Sequence, residues 1–199
     1  VDPGNQLVVE EVATGQRRVL ATGPELGSGS HALSPDGRHV AWVKAPATRA
    51  LFDATTGQRR DLPGVQGAPP PHDLVATFSA DSRHLLVHGG QSYVVYEVSS
   101  GRIATTWRGA LGLAYATTPP LLLNDGRHVV RFGAGLAPFE RLDLSTGARV
   151  PWPSAGYSRS LEGLGVTAAG RLHVTGRGHG VRTFDLAQSP PTTRVRLVW

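Results

Sequence analysis

Cysteine and methionine are both absent from the 199-residue chain. Without cysteine there is no disulfide and no thiolate metal site, a condition that suits the cytosol and many bacterial secreted proteins alike. No apolar run approaches the ~18 residues of a membrane span, and no signal peptide is visible. The start at Val1 and the lack of methionine read as a processed or trimmed piece of a longer product. Lysine is nearly missing too: Lys44 stands alone against 19 arginines. The net charge of +5 is carried by arginines scattered along the chain, with only Arg17-Arg18 and Arg59-Arg60 as neighbours. A nucleic-acid binder gathers its basic residues on one face with aromatics between them, so the scatter argues against nucleic acid. Also missing is any segment with a 3.6-residue apolar period, which predicts almost no helix. No G-x-S-x-G elbow, P-loop, dinucleotide fingerprint or Asp-box is present, so the usual enzyme signatures give no support.

Turns are abundant, with 25 glycines and 15 prolines. The stretch LSPDGRHVAWV (33–43) sets a serine-proline-aspartate-glycine turn between two apolar runs. It returns as FSADSRHLLV (78–87), LLNDGRHVV (122–130) and VTAAGRLHV (166–174). The turn positions Gly37, Ser82, Gly126 and Gly170 are spaced by 45, 44 and 44 residues. A second motif keeps the same period: an apolar strand, an acid, then a Thr/Ser-Gly turn. Its copies are 7–15, 51–57, 94–101 and 141–147, with a degenerate fifth at 183–189. The acids are Glu11, Asp53, Glu97, Asp143 and Asp185, four residues before each turn position, where a carboxylate is expected to accept the turn's backbone N–H groups.

Each unit therefore predicts four antiparallel strands: one into the S-P-D-G turn, a second out of it, the acid-bearing third, and a fourth after the glycine turn. Four such strands repeating every ~40–45 residues predict an all-β fold, a β-propeller. Full blades are expected at about 27–62, 72–108, 117–152 and 162–199. Residues 5–21 supply only the third and fourth strands of a half blade. The missing pair leaves two options: the C-terminal portion of a larger propeller, or a ring of five units with a reduced blade.

The chain resembles the WD40-like, S-P-D-G-type repeats of bacterial TolB-like propellers. The resemblance rests on Ser34-Pro35-Asp36-Gly37 and Asn124-Asp125-Gly126. It rests also on Phe52-Asp53, Tyr96-Glu97 and Phe184-Asp185, which stand where a WD40 repeat carries Trp-Asp. It implies a rigid face for a protein or peptide, and a bacterial extracytoplasmic setting.

Between-blade loops at 22–30, 63–73, 108–120 and 153–163 are the irregular part of the repeat, and scaffolded loops are where binding resides. The residues singled out on that face are His31, His72, Asp73, His88, Tyr115, Tyr157, Arg159, Arg177 and His179. No cofactor or metal is expected, because no short His-x-His spacing occurs. His39, His84, His128 and His173 open the second strands in phase with the repeat and read as structural or solvent-facing. Trp107, Trp152 and Trp199 end fourth strands and read as caps on blade packing. The leading reading is a non-enzymatic scaffold that binds a protein or peptide through the loop face. The alternatives are a ligand-sensing accessory domain of a larger membrane-anchored or secreted protein, and the propeller part of a lactonase-like or peptidase-like hydrolase.

Overall fold

The first three S-P-D-G-type turns close through one hydrogen-bond pattern. In the computed structural model, which describes residues 5–27, 29–44, 48–64, 74–89, 92–109, 120–132, 139–152, 161–176, 180–185 and 193–196, Gly37 N–H donates to Ser34 O and Ser34 N–H to His39 O, both at 2.9 Å. Ser34 Oγ donates to Asp36 Oδ1 at 2.6 Å, and the same carboxylate oxygen accepts Arg38 N–H at 3.0 Å. Ser79, Asp81 and Arg83 repeat this set. These turns reverse the chain between β3 (Ser30–Leu33) and β4 (His39–Lys44), and between β7 (Val75–Phe78) and β8 (His84–Gly89). The last two turns do the same between β11 (Leu121–Leu122) and β12 (His128–Phe132), and between β15 (Leu161–Val166) and β16 (Arg171–Gly176).

Third strands follow: β5 (Thr48–Asp53), β9 (Ser92–Glu97), β13 (Phe139–Asp143) and β17 (Gly180–Asp185). The fourth are β6 (Arg59–Asp61), β10 (Ile103–Arg108), β14 (Arg149–Trp152) and β18 (Thr193–Arg196). Each quartet is one antiparallel sheet with its strands in chain order, hereafter blades 1 to 4. Before them, β1 (Gln6–Glu11) and β2 (Gln16–Thr22) form a sheet of two strands, the half blade. A single 3₁₀ turn at Pro24–Gly27 is the only helical element among the described residues. The all-β expectation holds.

Central strands such as β4, β5, β8 and β9 are buried on both faces, which is why they read as continuous apolar runs rather than alternating ones. Outer strands are wet: β10 alternates half-buried and exposed, and β6 is exposed throughout. The first strands β3, β7, β11 and β15 approach one another in series, so the blades stack radially about them. Leu7, Val9, Leu20 and Ala21 of the half blade meet Val40, Trp42, Ala50 and Phe52 of blade 1. On blade 1's other face Ala41, Val43 and Leu51 meet Ala76, Phe78, Leu85, Val94 and Tyr96 of blade 2. Leu86, Tyr93 and Val95 then meet Leu122, Val129 and Leu142 of blade 3. Successive residues of one strand thus serve successive blade interfaces, as period-two side chains must.

The S-P-D-G turns also join blade to blade. Asp36 N–H donates to Ser82 Oγ at 3.1 Å, Asp81 N–H to Asn124 Oδ1 at 3.2 Å, and Asn124 Nδ2 to Ala168 O at 2.9 Å. Ser82 occupies the left-handed position, φ 64°, that glycine fills in the other three copies. A non-glycine residue there costs about 1–2 kcal/mol, and the inter-blade hydrogen bond offsets part of it. Ser82→Ala keeps the strain and loses the bond, so it should destabilise by about 1 kcal/mol. Ser82→Gly loses both and should be close to neutral. Urea midpoints of the two variants check this; equal losses would show that the left-handed strain contributes nothing, and no loss in Ser82→Ala would show that the bond contributes nothing.

Candidate functional site

Strand order puts the between-blade connections and the strand two–three connections at one end of each blade, and the S-P-D-G and glycine turns at the other. Of the loop-face candidates, His72, Asp73, Tyr115, Tyr157, Arg159, Arg177 and His179 lie outside the described residues. His31 and His88 are described. His31 pairs with Trp42 and shares its face, toward the half blade. His88 pairs with Tyr93, on the face toward blade 3. The two therefore serve different blade interfaces. The His88 ring stacks on Tyr93 at 5.5 Å with a 20° interplanar angle. Burial lowers its pKa to about 4, so it is neutral at pH 7; burial lowers His31 as well.

Around His88 the fold gathers a polar and aromatic cluster between blades 2 and 3. Trp107 meets Tyr93 edge-on at 5.8 Å and 73°, and it packs against the blade 2–3 core. Arg131, one step inside the strand two–three connection, is 3% exposed and forms an ion pair with Glu140, its cross-strand neighbour. Burial pushes the Tyr93 phenol up to about 12, and the nearby Arg131 cation offsets only part of that. Burial also lowers the Arg131 guanidinium from its ordinary value. The sequence reasoning passed over Arg131, Glu140 and Tyr93. The available signal was an arginine in HVVRF at the step where β4 and β8 carry Trp42 and Val87.

The between-blade connections are tied down where they are described. Leu26 of the first is fully buried against Trp42 and Leu7. Tyr96, its phenol pushed up to about 12 by burial, donates to Pro63 O at 2.7 Å. A chemically irregular loop is thus set on rigid ends, the arrangement binding loops use.

The turn end explains the repeated acids and histidines. Asp53 Oδ1 accepts Thr55 and Thr56 N–H at 2.8 and 2.7 Å, and Asp143 Oδ1 accepts Ser145 N–H at 2.9 Å. The glutamates differ: Glu11 and Glu97, one carbon longer, accept the hydroxyls of Thr14 and Ser100 at 2.7 and 2.9 Å. The Arg127 guanidinium holds Asp143 far below the usual carboxylate range. Asp185's side chain lies outside the described set. The His84 ring covers Gly126 of the next blade so closely that a Cβ there would sit 2.5 Å from it. His128 Nδ1 lies 2.6 Å from Asp125 Oδ2.

His173 requires a correction, since it is not in phase. The last turn is one residue shorter, Thr167 N–H donating to Arg171 O where Ser34 donates to His39 five residues on. Arg171, not His173, therefore pairs with the acid. His173 lies two steps further, its Nδ1 at 3.0 Å from Thr183 Oγ1. Trp152 and Trp199 have no described side chains.

One shallow cleft of about 140 Å³ lies at the turn end, lined by His39, Asp53, Gln58, Arg59, Arg60 and Ser99 among others. Its arginines are engaged, Arg60 with Val98 and Ser99 carbonyls and Arg59 with Asp61. Among the described residues no group of three or more His, Cys, Asp or Glu is placed to hold a metal ion.

No protein-family model matches the chain, and no curated protein matches it. Solved structures do. The Cps50 (Swd1) β-propeller domain of Myceliophteria thermophila superposes with a TM-score of 0.53 at 15% identity, over 85% of this chain and 55% of that one. U3-55K superposes with a TM-score of 0.54 at 14% identity, over 88% and 54%. The chain spans about half the length of these proteins. At such identities the likeness establishes the fold alone, a β-propeller.

Proposed function

We propose that the chain is a non-enzymatic propeller scaffold that binds a protein or peptide through its between-blade loop face. The supporting observation is the division of labour between the two ends. The repeated residues at the turn end are consumed by turn closure and blade-to-blade hydrogen bonds. The between-blade segments, irregular in sequence and carrying Tyr115, Tyr157 and Arg159, start from the opposite end, where Leu26 and Tyr96 anchor the described connections. Tyrosine and arginine are common anchors at interfaces, which favours Tyr115, Tyr157 and Arg159 as contact residues, with His31, His72, Asp73, His88, Arg177 and His179 as further candidates. The S-P-D-G turn chemistry favours the bacterial TolB-like type within WD40-like propellers.

The test is a pull-down from native cell and envelope extract with three baits: the chain, its Tyr115, Tyr157 and Arg159 triple-alanine variant, and an Arg38→Ala, Arg83→Ala variant at the exposed turn end. A partner lost only by the loop variant is the expected result. A partner lost only by the turn variant would move the site to the other end. No captured partner would favour a small-molecule ligand instead.

A further inference from the structure

Blade 1 departs from its own repeat at Arg49. Four residues before the third-strand acids Glu11, Asp53, Glu97, Asp143 and Asp185, the five units carry Leu7, Arg49, Tyr93, Phe139 and Val181. Four of these are apolar or aromatic, and Leu7 and Tyr93 are buried in blade interfaces. Arg49 is buried as well, at 9% exposed. It shares a face with Leu51, and its cross-strand partner is Val43, so it points toward blade 2. Its Nε is buried with no hydrogen-bond acceptor, and none of the ion pairs among the described residues includes its guanidinium. Arg131 gives the contrast: this buried arginine of the next interface has Glu140 beside it. A buried cation without a counter-charge is strongly destabilising. The fold does not ask for one here, since apolar side chains fill the position elsewhere, and such broken local rules concentrate at functional sites.

The guanidinium sits at the loop end. Arg49 is the second residue of β5, just past the strand two–three connection. Leu62, where the next between-blade connection begins, donates its N–H to Arg49 O at 2.8 Å. The Tyr96 phenol, bonded to Pro63 O, is pushed up by burial, and the nearby Arg49 cation offsets part of that rise. Gly64 is exposed, and a Cβ there would stand 3.3 Å from Arg49 Nη1, so the glycine keeps the approach to that nitrogen clear. We propose that Arg49 anchors a carboxylate of the bound peptide at the mouth of the blade 1–2 interface, beside Pro63 and Gly64. A planar guanidinium takes a carboxylate through two parallel hydrogen bonds, as Arg127 takes Asp143 at the turn end. Between two closed sheets such a pair is stronger than at an open surface. The assignment has the loop-face reading as its premise and adds the chemistry of the partner, an acidic peptide.

Arg49→Leu introduces the residue that the half blade carries at this step and separates a binding role from a structural one. An arginine whose counter-charge comes from a partner destabilises the free chain, so the urea midpoint of Arg49→Leu should rise. An unchanged or lowered midpoint would overturn the proposal. A matching fall in Asp73→Asn, the acid of the 63–73 connection, would then assign Arg49 to the chain's own loop. The binding probe is a display library of random octapeptides with free C-termini. Peptides retained by the chain should carry Asp or Glu at one fixed position, or else depend on the terminal carboxylate, which amidation of the synthetic peptide removes. Changing that acid to its amide, or Arg49→Leu in the chain, should each weaken binding at least roughly thirtyfold. The two changes together should weaken it no further than either alone. Retained peptides that are indifferent to Arg49→Leu but lost by the Tyr115, Tyr157 and Arg159 triple-alanine variant would overturn the anchor and keep the loop face. No retained peptide would overturn both.

Discussion

Trp42→Ala should destabilise the chain by about 3–5 kcal/mol, the cost of deleting a large aromatic from a packed core. Trp42 is 2% exposed and is the largest side chain in the interface between the half blade and blade 1. Its removal would leave Leu7, Leu26, Val40 and Phe52 around a cavity that strands on two sheets cannot readily close. Trp42→Phe isolates the cause. The indole N–H is buried with no acceptor among the described residues, so phenylalanine gives up no hydrogen bond there and should cost far less than alanine. Val12→Ala, at a residue 95% exposed, should stay within about 0.5 kcal/mol. Urea unfolding of the three variants checks this ranking. A small loss for Trp42→Ala would mean that the half blade does not pack on blade 1 in solution.

Stability should fall by about 3 kcal/mol between pH 7 and pH 4 because of His88. Its folded-state pKa of about 4 lies below the 6.5 of an ordinary imidazole, so the unfolded chain takes up the proton first. The contribution is full above about pH 6.5 and is lost as pH drops toward 4, at about 1.4 kcal/mol per unit. His31 acts in the same direction. The carboxylates act lower. Asp36, Asp53, Asp125 and Asp143 are all held below the usual range. Their stabilisation is present above about pH 4 and disappears only below it. His88→Phe places a phenylalanine where blade 3 carries Phe132 and should flatten the curve between pH 6.5 and about 4, leaving the acid limb intact. An unchanged slope in that variant would show that His88 is solvated rather than buried between blades 2 and 3.

The candidate site divides by range. Glu97 and Ser100, or Asp53 and Thr55, are close in the chain, so their turn chemistry was readable from spacing, although the longer glutamate selects hydroxyls over N–H groups. His173 misled because its spacing from Gly170 is one residue longer than in the other copies, while the turn itself is one residue tighter. Arg131 and Glu140 looked like ordinary strand residues, since nothing local announces that blade 2 will cover them.

By itself the sequence determined, among the described residues, the four strands of each full blade, the positions of the turns and the near absence of helix. Left-handed turn residues, acids and apolar runs act within a few residues, and their 44–45-residue recurrence repeats the instruction. Only the tertiary structure decided which face of each strand meets which blade. It alone buried Leu26, Arg131 and His88. Those outcomes depend on side chains about one repeat apart being brought together, and on the desolvation that follows when two sheets close over a polar group.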